Sequence, residues 1–275
     1  MNTKLLTIFT RTPLHVGAGA SVGAVDQPVV RERHTHFPII PGSAVKGVLA
    51  DLWLDASFKR TAEGKKYFGE DDNNADVKHA GALAFGEAKL LAFPVRSARG
   101  CFAFVTSPLC LERYKRDAGL DLEVPKVADN TCLAGADVVF EDKKSVILEE
   151  YCFANKDAFP EAWAKQLSQL ADDAVLKGGT ARFVLLSDAD MSFFAENACQ
   201  ISQHVSIDSQ TGTAAEGKLF NQEEVPSETL FYAPITLVRS EVDVEPFVTK
   251  MAACPLVQFG GKGTSGIGYC SVKLG

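Results

Sequence analysis

The 275-residue sequence has no long hydrophobic run. None of its apolar stretches approaches the roughly 18 residues that a membrane-spanning helix requires. The apolar segment 5–9 is followed almost at once by Arg11, and it is too short for a signal peptide. These absences argue against a helical membrane protein and predict a cytoplasmic one.

Paired cysteine motifs are also missing. The seven cysteines are odd in number, and no two of them form a C-x-x-C unit. This spacing excludes a zinc knuckle and a thioredoxin-like redox site. In a reducing compartment we expect free thiols that pack mainly as small hydrophobic side chains.

A positive net charge is absent as well. The chain has 28 basic and 35 acidic residues and a net charge of −7, whereas nucleic-acid binding is dominated by neutralisation of phosphates. The charge is unevenly distributed, since residues 1–50 carry +3, residues 258–275 carry +2 and residues 51–257 carry −12. If the two ends meet in the fold, they form a basic face on an acidic body, although compositional scatter would give the same counts.

Hydrophobic periodicity and turn residues predict the elements of the first part of the chain. Residues 3–12 are predicted to form a strand that a proline closes. The glycine-rich stretch 13–41 is longer than most loops of compact domains, and loops of this length are usually functional. Residues 43–53 have the apolar stripe of a helix with Ser43 as its N-cap, and residues 57–79 are polar enough for a surface insertion.

Further strands and helices are predicted in the rest of the chain. The strands are 83–95, 100–111, 181–186, 230–239 and 256–259, and the helices are 159–170, 190–196 and 244–253. Residues 112–180 show no other clear period, and the polar, turn-rich segment 203–229 is typical of a protruding β-ribbon. The order of elements favours an α+β fold with a ferredoxin-like core and large insertions.

Two glycine-rich segments invite comparison with phosphate-binding loops. The first has the spacing G-x-G-x-x-x-G at residues 17–23 and is followed by Pro28, so no helix can begin directly after it and a dinucleotide-binding site is excluded. The second, residues 260–268, has Gly263 after Lys262 and lacks the following helix of a P-loop. Its backbone N–H groups and Lys262 suit an anion, but a flexible turn fits the same pattern.

Charged and titratable side chains single out the first long loop and the helix after it. Lys46, in the first helical turn, opposes the helix dipole unless it faces a phosphate, although a solvated lysine is an equal alternative. Asp26 could hold a divalent ion or orient a 2′-hydroxyl, or it could simply form a turn. His15, His34 and His36 lack a helical H-E-x-x-H frame, which argues against a tight protein-only metal cage.

Several of these motifs together resemble a known family. The matching segments lie in family order at 11–19, 25–28, 31–35, 38–47, 211–220, 226–232 and 258–268, and include Val25-Asp26-Gln27-Pro28 and Pro41-Gly42-Ser43-Ala44-Val45-Lys46-Gly47. With these motifs the sequence resembles the RAMP-superfamily CRISPR proteins. More narrowly, it is similar to the backbone subunits of the type III-B Cmr effector, the subunit usually counted fourth.

The resemblance implies a fold and an activity. It implies a single RAMP domain over residues 1–275, with an RRM-like core, insertions near 57–79 and 112–180, and a β-hairpin thumb near 203–229. It also implies copies stacked in a helical filament along a CRISPR RNA with other Cmr subunits. Complementary target RNA is then cleaved at regular intervals in a reaction that depends on a divalent metal ion, Mg²⁺.

The resemblance further implies roles for individual residues. Asp26 matches the cleaving residue of the first loop and is the expected metal ligand, and His15 and Glu228 lie where accessory catalytic residues fall. The expected RNA contacts are Ser43, Lys46, Arg31, Gly260, Gly261, Lys262, Gly263 and His204.

Two other functions fit the sequence. The first is a related backbone subunit that binds and spaces the guide RNA without cutting. The second is a metabolic enzyme whose first loop binds a phosphorylated small molecule, which predicts a monomer without bound RNA. Loss of target cleavage on replacing Asp26 separates the cutting subunit from the scaffold.

Overall fold

A computed structural model describes residues 2–19, 25–70, 79–140, 144–207 and 212–275. These ranges contain 13 strands and seven α-helices. The strands are β1 (Asn2–Thr10), β2 (Leu83–Phe85), β3 (Lys89–Arg96), β4 (Phe102–Thr106), β5 (Thr131–Ala134), β6 (Ser145–Leu148), β7 (Tyr151–Ala158), β8 (Phe183–Leu185), β9 (Gln200–Ile207), β10 (Ala214–Glu224), β11 (Leu230–Leu237), β12 (Leu256–Gln258) and β13 (Tyr269–Leu274). The helices are α1 (Gly42–Asp51), α2 (Ala62–Phe68), α3 (Pro108–Ala118), α4 (Glu161–Ser168), α5 (Ala174–Gly178), α6 (Asp188–Asn197) and α7 (Glu245–Ala253).

One large mixed sheet contains most of the strands. Its order is β12-β13-β1-β11-β3-β4-β8-β5-β7-β6, and β2 pairs separately with β11. Most pairs are antiparallel, but β4 with β8 and β5 with β7 are parallel. The strands β9 and β10 form a second, two-stranded antiparallel sheet. The strand β1 lies between β13 and β11, so segments from the two ends of the sequence are neighbours in the sheet.

Apolar side chains explain the position of α1. Val45 and Leu49 lie one helical turn apart and are both fully buried, so this face of α1 packs on the core. The helix begins at Gly42, where an added Cβ would lie 2.4 Å from the carbonyl oxygen of Phe85. The sequence prediction of Ser43 as the N-cap is wrong, because Pro41 occupies that position and no side chain caps the helix.

The predicted strand 100–111 is also wrong beyond its first half. The strand β4 ends at Thr106, and the next residue, Ser107, caps α3, because its hydroxyl accepts a hydrogen bond from the Cys110 N–H at 3.4 Å. Pro108 then suits the first helical position, where no N–H is needed. The poorly patterned region 112–180 therefore holds the rest of α3 as well as β5, β6, β7, α4 and α5.

Part of the predicted surface insertion 57–79 is a helix that packs on the core. Within its described residues, α2 buries Tyr67 and Phe68. The ring of Trp53 stacks on Phe247 of α7 at 5.2 Å between centroids, and Phe68 stacks on Phe85 at 5.3 Å. Residues 71–78 of this prediction lie outside the described part of the chain.

The predicted strand 83–95 is wrong as a single strand, because it is divided into β2 and β3 with residues 86–88 between them. The other predicted elements are present with shifted ends. The ribbon expected at 203–229 corresponds to β9 and β10, which begin at Gln200 and end at Glu224, and residues 208–211 between them are not described. In the described ranges all seven cysteines are free, as expected. Among the described helices, none combines the length and apolar character needed to cross a bilayer.

Ser43 and Ser107 give a direct test of where α1 and α3 begin. Replacing the buried Ser107 by alanine removes the cap of α3, and we expect the free energy of unfolding to fall by about 1 kcal/mol. Ser43→Ala is the matched control, because Ser43 is exposed and caps nothing. Urea unfolding of both variants measures the difference, and equal losses would contradict the assignment.

Candidate functional site

The first long loop is held against β10 by backbone hydrogen bonds. The Gln27 N–H donates to the carbonyl of Asn221 at 3.0 Å, and the Glu223 N–H donates to the carbonyl of Gln27 at 2.9 Å. Earlier in the loop, Leu14 and Val225 exchange two such bonds at 2.8 Å each. The loop therefore adds short backbone pairings along the end of β10, on both sides of its undescribed residues 20–24.

The side chain of Glu223 lies at the centre of this contact and is only 7% exposed. Its Oε2 accepts a hydrogen bond from the Val29 N–H at 2.9 Å, and its Oε1 accepts one from Nη2 of Arg31 at 2.5 Å. Its backbone carbonyl contacts Nδ1 of His15 at 2.7 Å. A buried carboxylate needs such partners because an unpaired charge away from water is strongly destabilising. Glu223 thus joins three separate points of the first loop.

The guanidinium of Arg31 is directed into the protein. Besides the bond to Glu223, its Nη1 donates to the carbonyls of His36 and Ala195 at 2.7 Å each, and its Nη2 donates to Sγ of Cys199 at 3.2 Å. Burial by itself lowers the pKa of Arg31, but the neighbouring sulfur and carboxylate outweigh it and raise that pKa. The group therefore stays charged and links the loop to the end of α6.

The sequence-predicted residue Asp26 is exposed at the edge of this contact. Its Oδ2 accepts a hydrogen bond from the Asn221 N–H at 2.8 Å, which orients the carboxylate. Within the described ranges no three His, Cys, Asp or Glu side chains are grouped to hold a metal ion. A carboxylate of this kind suits Mg²⁺, which binds through one or two carboxylates and completes its ligands with water and phosphate oxygens.

His15 has a defined tautomer. A carbonyl can only accept a hydrogen bond, so Nδ1 of His15 carries the proton that it donates to Glu223. In the neutral ring Nε2 is then the acceptor. Asp26 and His15 are thus each oriented by a backbone group of β10, at Asn221 and Glu223 respectively.

The C-terminal glycine-rich loop packs on the other side of the first loop. The Gly261 N–H donates to the carbonyl of His15 at 3.2 Å, and the Gly268 N–H donates to that of Pro13 at 2.8 Å. Gly260 has a φ of +73°, and an added Cβ there would lie 2.1 Å from the His15 carbonyl oxygen. Only glycine fits this approach, so the first loop is clamped between β10 and residues 260–268.

A lysine and two aromatic rings adjoin the clamp. Nζ of Lys262 lies 4.8 Å from the ring centroid of Phe220, and the His204 ring stacks on the same phenylalanine at 5.1 Å. Nζ of Lys262 and Nε2 of His204 are buried and have no hydrogen-bond partner among the described residues. A buried lysine ammonium that has no hydrogen-bond acceptor favours an anionic ligand.

Three predicted site residues lie apart from these contacts. Ser43 lies on the first turn of α1 and is exposed, whereas Lys46 is the fifth residue of the helix and is half-buried. The sequence prediction of Lys46 in the first turn is therefore wrong, because the helix begins before Ser43. The N–H of Glu228 donates to the carbonyl of Thr10 at 2.7 Å, and its described contacts do not include Asp26 or His15. Burial, with a contribution from the charge of Asp173, raises the pKa of Glu228.

Sequence reasoning missed Asn221, Phe220 and Glu223. They belong to a segment that was interpreted only as a polar ribbon. Alternation along a strand places side chains on two faces, but it does not show which face the first loop covers. Glu223 and Arg31 are 192 residues apart, so no local pattern could join them.

Comparisons with known proteins show the family and the fold of the chain. The RAMP superfamily model matches residues 7–271. The chain is 34% identical to the CRISPR system Cmr endoribonuclease Cmr4 of Pyrococcus furiosus, over 100% of this chain and 96% of that protein. The crystal structure of oligomeric Cmr4 from Pyrococcus furiosus superposes with a TM-score of 0.75 and 30% identity, covering 100% of this chain and 98% of the other. The type III-B Cmr-beta complex bound to cognate target RNA contains a chain of the same fold, with a TM-score of 0.75 and 21% identity, covering 100% of this chain and 97% of that one.

The ion pair between Glu223 and Arg31 gives a second prediction. In Glu223→Gln the buried guanidinium loses its carboxylate, and we expect the free energy of unfolding to fall by about 3 kcal/mol. Glu241→Gln is the control, because the pair of Glu241 with Arg239 is solvent-exposed and such pairs contribute at most about 1 kcal/mol. Denaturant unfolding measures both, and similar losses would show that Glu223 does not hold the loop.

Proposed function

The chain belongs to the RAMP superfamily, and from this premise we propose that it is a guide-RNA-binding endoribonuclease subunit of a type III-B Cmr effector complex. In this function it binds CRISPR RNA, assembles with copies of itself and with other Cmr subunits in the cytoplasm, and cleaves complementary target RNA. The full-length similarity to a Cmr endoribonuclease supports the activity. Similarity to an oligomeric relative supports the self-assembly.

One observation carries the proposed chemistry. The loop with Asp26 is clamped between β10 and the glycine-rich loop, and one carboxylate oxygen is fixed by the Asn221 N–H. Catalysis depends on groups that are already oriented before the reaction, because misplacement by about 1 Å can cost about 100-fold in rate. The clamp supplies this orientation to an otherwise long loop.

We propose that binding and chemistry use different parts of the site. Lys262 and the N–H group of Gly263 bind phosphates, while His204 and Phe220 offer ring surfaces to RNA bases. Gly260 and Gly261 act indirectly, because both hold the first loop at the His15 carbonyl. Lys46 and Ser43 bind a phosphate at the N-terminus of α1. Arg31 is reassigned to an indirect role, because its donors are used to hold the loop.

The cleavage step needs a group that activates a hydroxyl. Asp26 would hold a divalent ion such as Mg²⁺, which when bound supplies positive charge for the scissile phosphate. The second oxygen of Asp26 orients the attacking 2′-hydroxyl or water, and Nε2 of His15 accepts a proton. Glu228, whose pKa is raised, is proposed to lie on the RNA path as an accessory residue.

The proposal also divides the fold into a core and a protruding hairpin. We assign β9 and β10 to a thumb hairpin, and the central strands with their helices to an RRM-like core, within one RAMP domain over residues 1–275. The separation of the two-stranded sheet from the large sheet supports the thumb.

Asp26→Ala tests the catalytic assignment. In a complex assembled with guide RNA and Mg²⁺, we expect target cleavage to fall by about 100-fold or more, because Asp26 would hold the ion and orient the attacking hydroxyl, and misplacement of reacting groups by about 1 Å can cost about 100-fold in rate. Retention of guide RNA should stay unchanged. Asp121→Ala is the matched control, since Asp121 is an exposed acid on the segment after α3. Undiminished, regularly spaced cleavage in Asp26→Ala would contradict the catalytic assignment of Asp26.

Lys262→Met tests the RNA contact separately. We expect weaker binding of guide RNA and a salt dependence of binding that is reduced by about one phosphate contact. A titration of fluorescent guide RNA at several salt concentrations measures both quantities. The exposed Lys126 provides the control Lys126→Met, and an equal change in the two variants would contradict a phosphate site at Lys262.

A further inference from the structure

The loop between α1 and α2 presents an aromatic side chain to solvent. Phe58 is 85% exposed, the highest value among the large hydrophobic side chains of the described residues. Its φ of +59° lies in the left-handed region, which is costly for a bulky residue. A strained residue that is also a fully exposed phenylalanine points to a role outside the fold of the single chain.

The loop that carries Phe58 is rigidly built. Oδ1 of Asp55 accepts hydrogen bonds from the Ser57 N–H at 2.8 Å, from the Ser57 hydroxyl at 2.6 Å and from the Lys59 N–H at 3.1 Å. The Asp55 N–H donates to the Lys59 carbonyl at 2.8 Å, and the Phe58 N–H donates to that of Asp55 at 3.0 Å. Residues 55–59, called the tip below, therefore have a fixed backbone from which the ring of Phe58 projects into solvent.

A cavity of about 490 Å³ lies at a distant place on the surface. It is formed where the turn between β6 and β7 meets the end of α6. Tyr151 and Phe193 line it with edge-to-face rings 5.2 Å apart, and they are 43% and 41% exposed. Glu149, which pairs with Arg96 at 2.8 Å, and the exposed Glu150 form an acidic border. We call this cavity the aromatic pocket.

The tip and the aromatic pocket are complementary. Phe58 offers an aromatic ring to two exposed rings, and aromatic pairs favour such edge-to-face contacts. Lys59, next to it, is exposed and positively charged, opposite in sign to Glu150. A ring that enters a pocket beside a charge pair is the usual form of an interface hot spot.

The tip and the pocket of one chain lie toward opposite ends of the large sheet. The tip follows Trp53, which stacks on α7, and α7 packs on β13 near one end of the strand order. The pocket adjoins β6 and β7 at the other end.

We propose that the tip of one copy inserts Phe58 into the aromatic pocket of a second copy, with Lys59 facing Glu150. This inference rests on the proposed self-assembly and assigns its contact residues. Each copy uses one tip and one pocket, so the contact is head-to-tail and does not give a symmetric dimer. Because the tip and the pocket lie toward opposite ends of the sheet, repetition of the contact gives a chain of copies, either an open filament or a closed ring.

Sedimentation velocity of the purified full chain over a range of concentrations tests this interface. We expect the wild type to associate progressively, and Phe58→Ala and Glu150→Lys each to weaken association by at least about tenfold. Both changed residues are exposed, so the fold should be unaffected. The exposed apolar residue Val175 supplies the control Val175→Ala, which should associate like the wild type.

Mixing the variants gives a sharper readout. Phe58→Ala keeps an intact pocket and Glu150→Lys keeps an intact tip, so an equimolar mixture should form dimers that do not extend. Lys59→Glu combined with Glu150→Lys in one chain should restore association by reversing the charge pair. If Phe58→Ala and Glu150→Lys each associate as strongly as the wild type, the proposed interface is wrong, although the protein still self-assembles.

Two other results would also refute the interface. If the wild type stays monomeric at every concentration, both the interface and the proposed self-assembly fail. If Phe58→Ala weakens binding of single-stranded RNA but not association, the tip binds RNA bases and not a second copy.

Discussion

The contact between Glu223 and the first loop is the constraint on which the candidate site depends. A loop of this length has little secondary structure of its own, and fixing it in one conformation costs conformational entropy. Glu223 offsets this cost at three points, because its carboxylate holds the Val29 N–H and the Arg31 guanidinium and its backbone carbonyl contacts His15. Asp26 is oriented separately, by the Asn221 N–H on the same strand. The charge of Arg31 is thus used to build the site.

The glycine-rich loop completes the same construction from the opposite side. Its approach to the His15 carbonyl is possible only because Gly260 has no side chain. The first loop is therefore held by a charged contact on one side and by a close backbone contact on the other. An RNA strand bound across the clamp would meet Lys262 and Asp26 on elements that support each other.

Local patterns in the sequence predicted many of the strands and helices, but not the helix caps or the contacts between elements that are distant in sequence. The strand β1 and the helices α1, α4, α6 and α7 follow from apolar periodicity that is read within a few residues. Ser43 and Ser107 show the limit, because both precede apolar helical turns and only contacts in three dimensions decide which one caps. The polar composition of residues 57–79 likewise hid two aromatic side chains of the core. For the site, the residue types at Asp26, His15 and Lys262 were visible, whereas their respective partners Asn221, Glu223 and Phe220 were not.

The pairing of β1 with β13 has a consequence for how the protein is made. The ribosome releases β1 long before β13. The strand β1 therefore cannot pair with β13, about 260 residues away, until synthesis is nearly complete. Such distant pairings fold slowly, because the chain must close a very long loop first. The glycine-rich loop lies directly before β13 and arrives equally late. An unfinished chain therefore lacks the second side of the clamp, and the first loop gains its full set of contacts only when the chain is nearly complete.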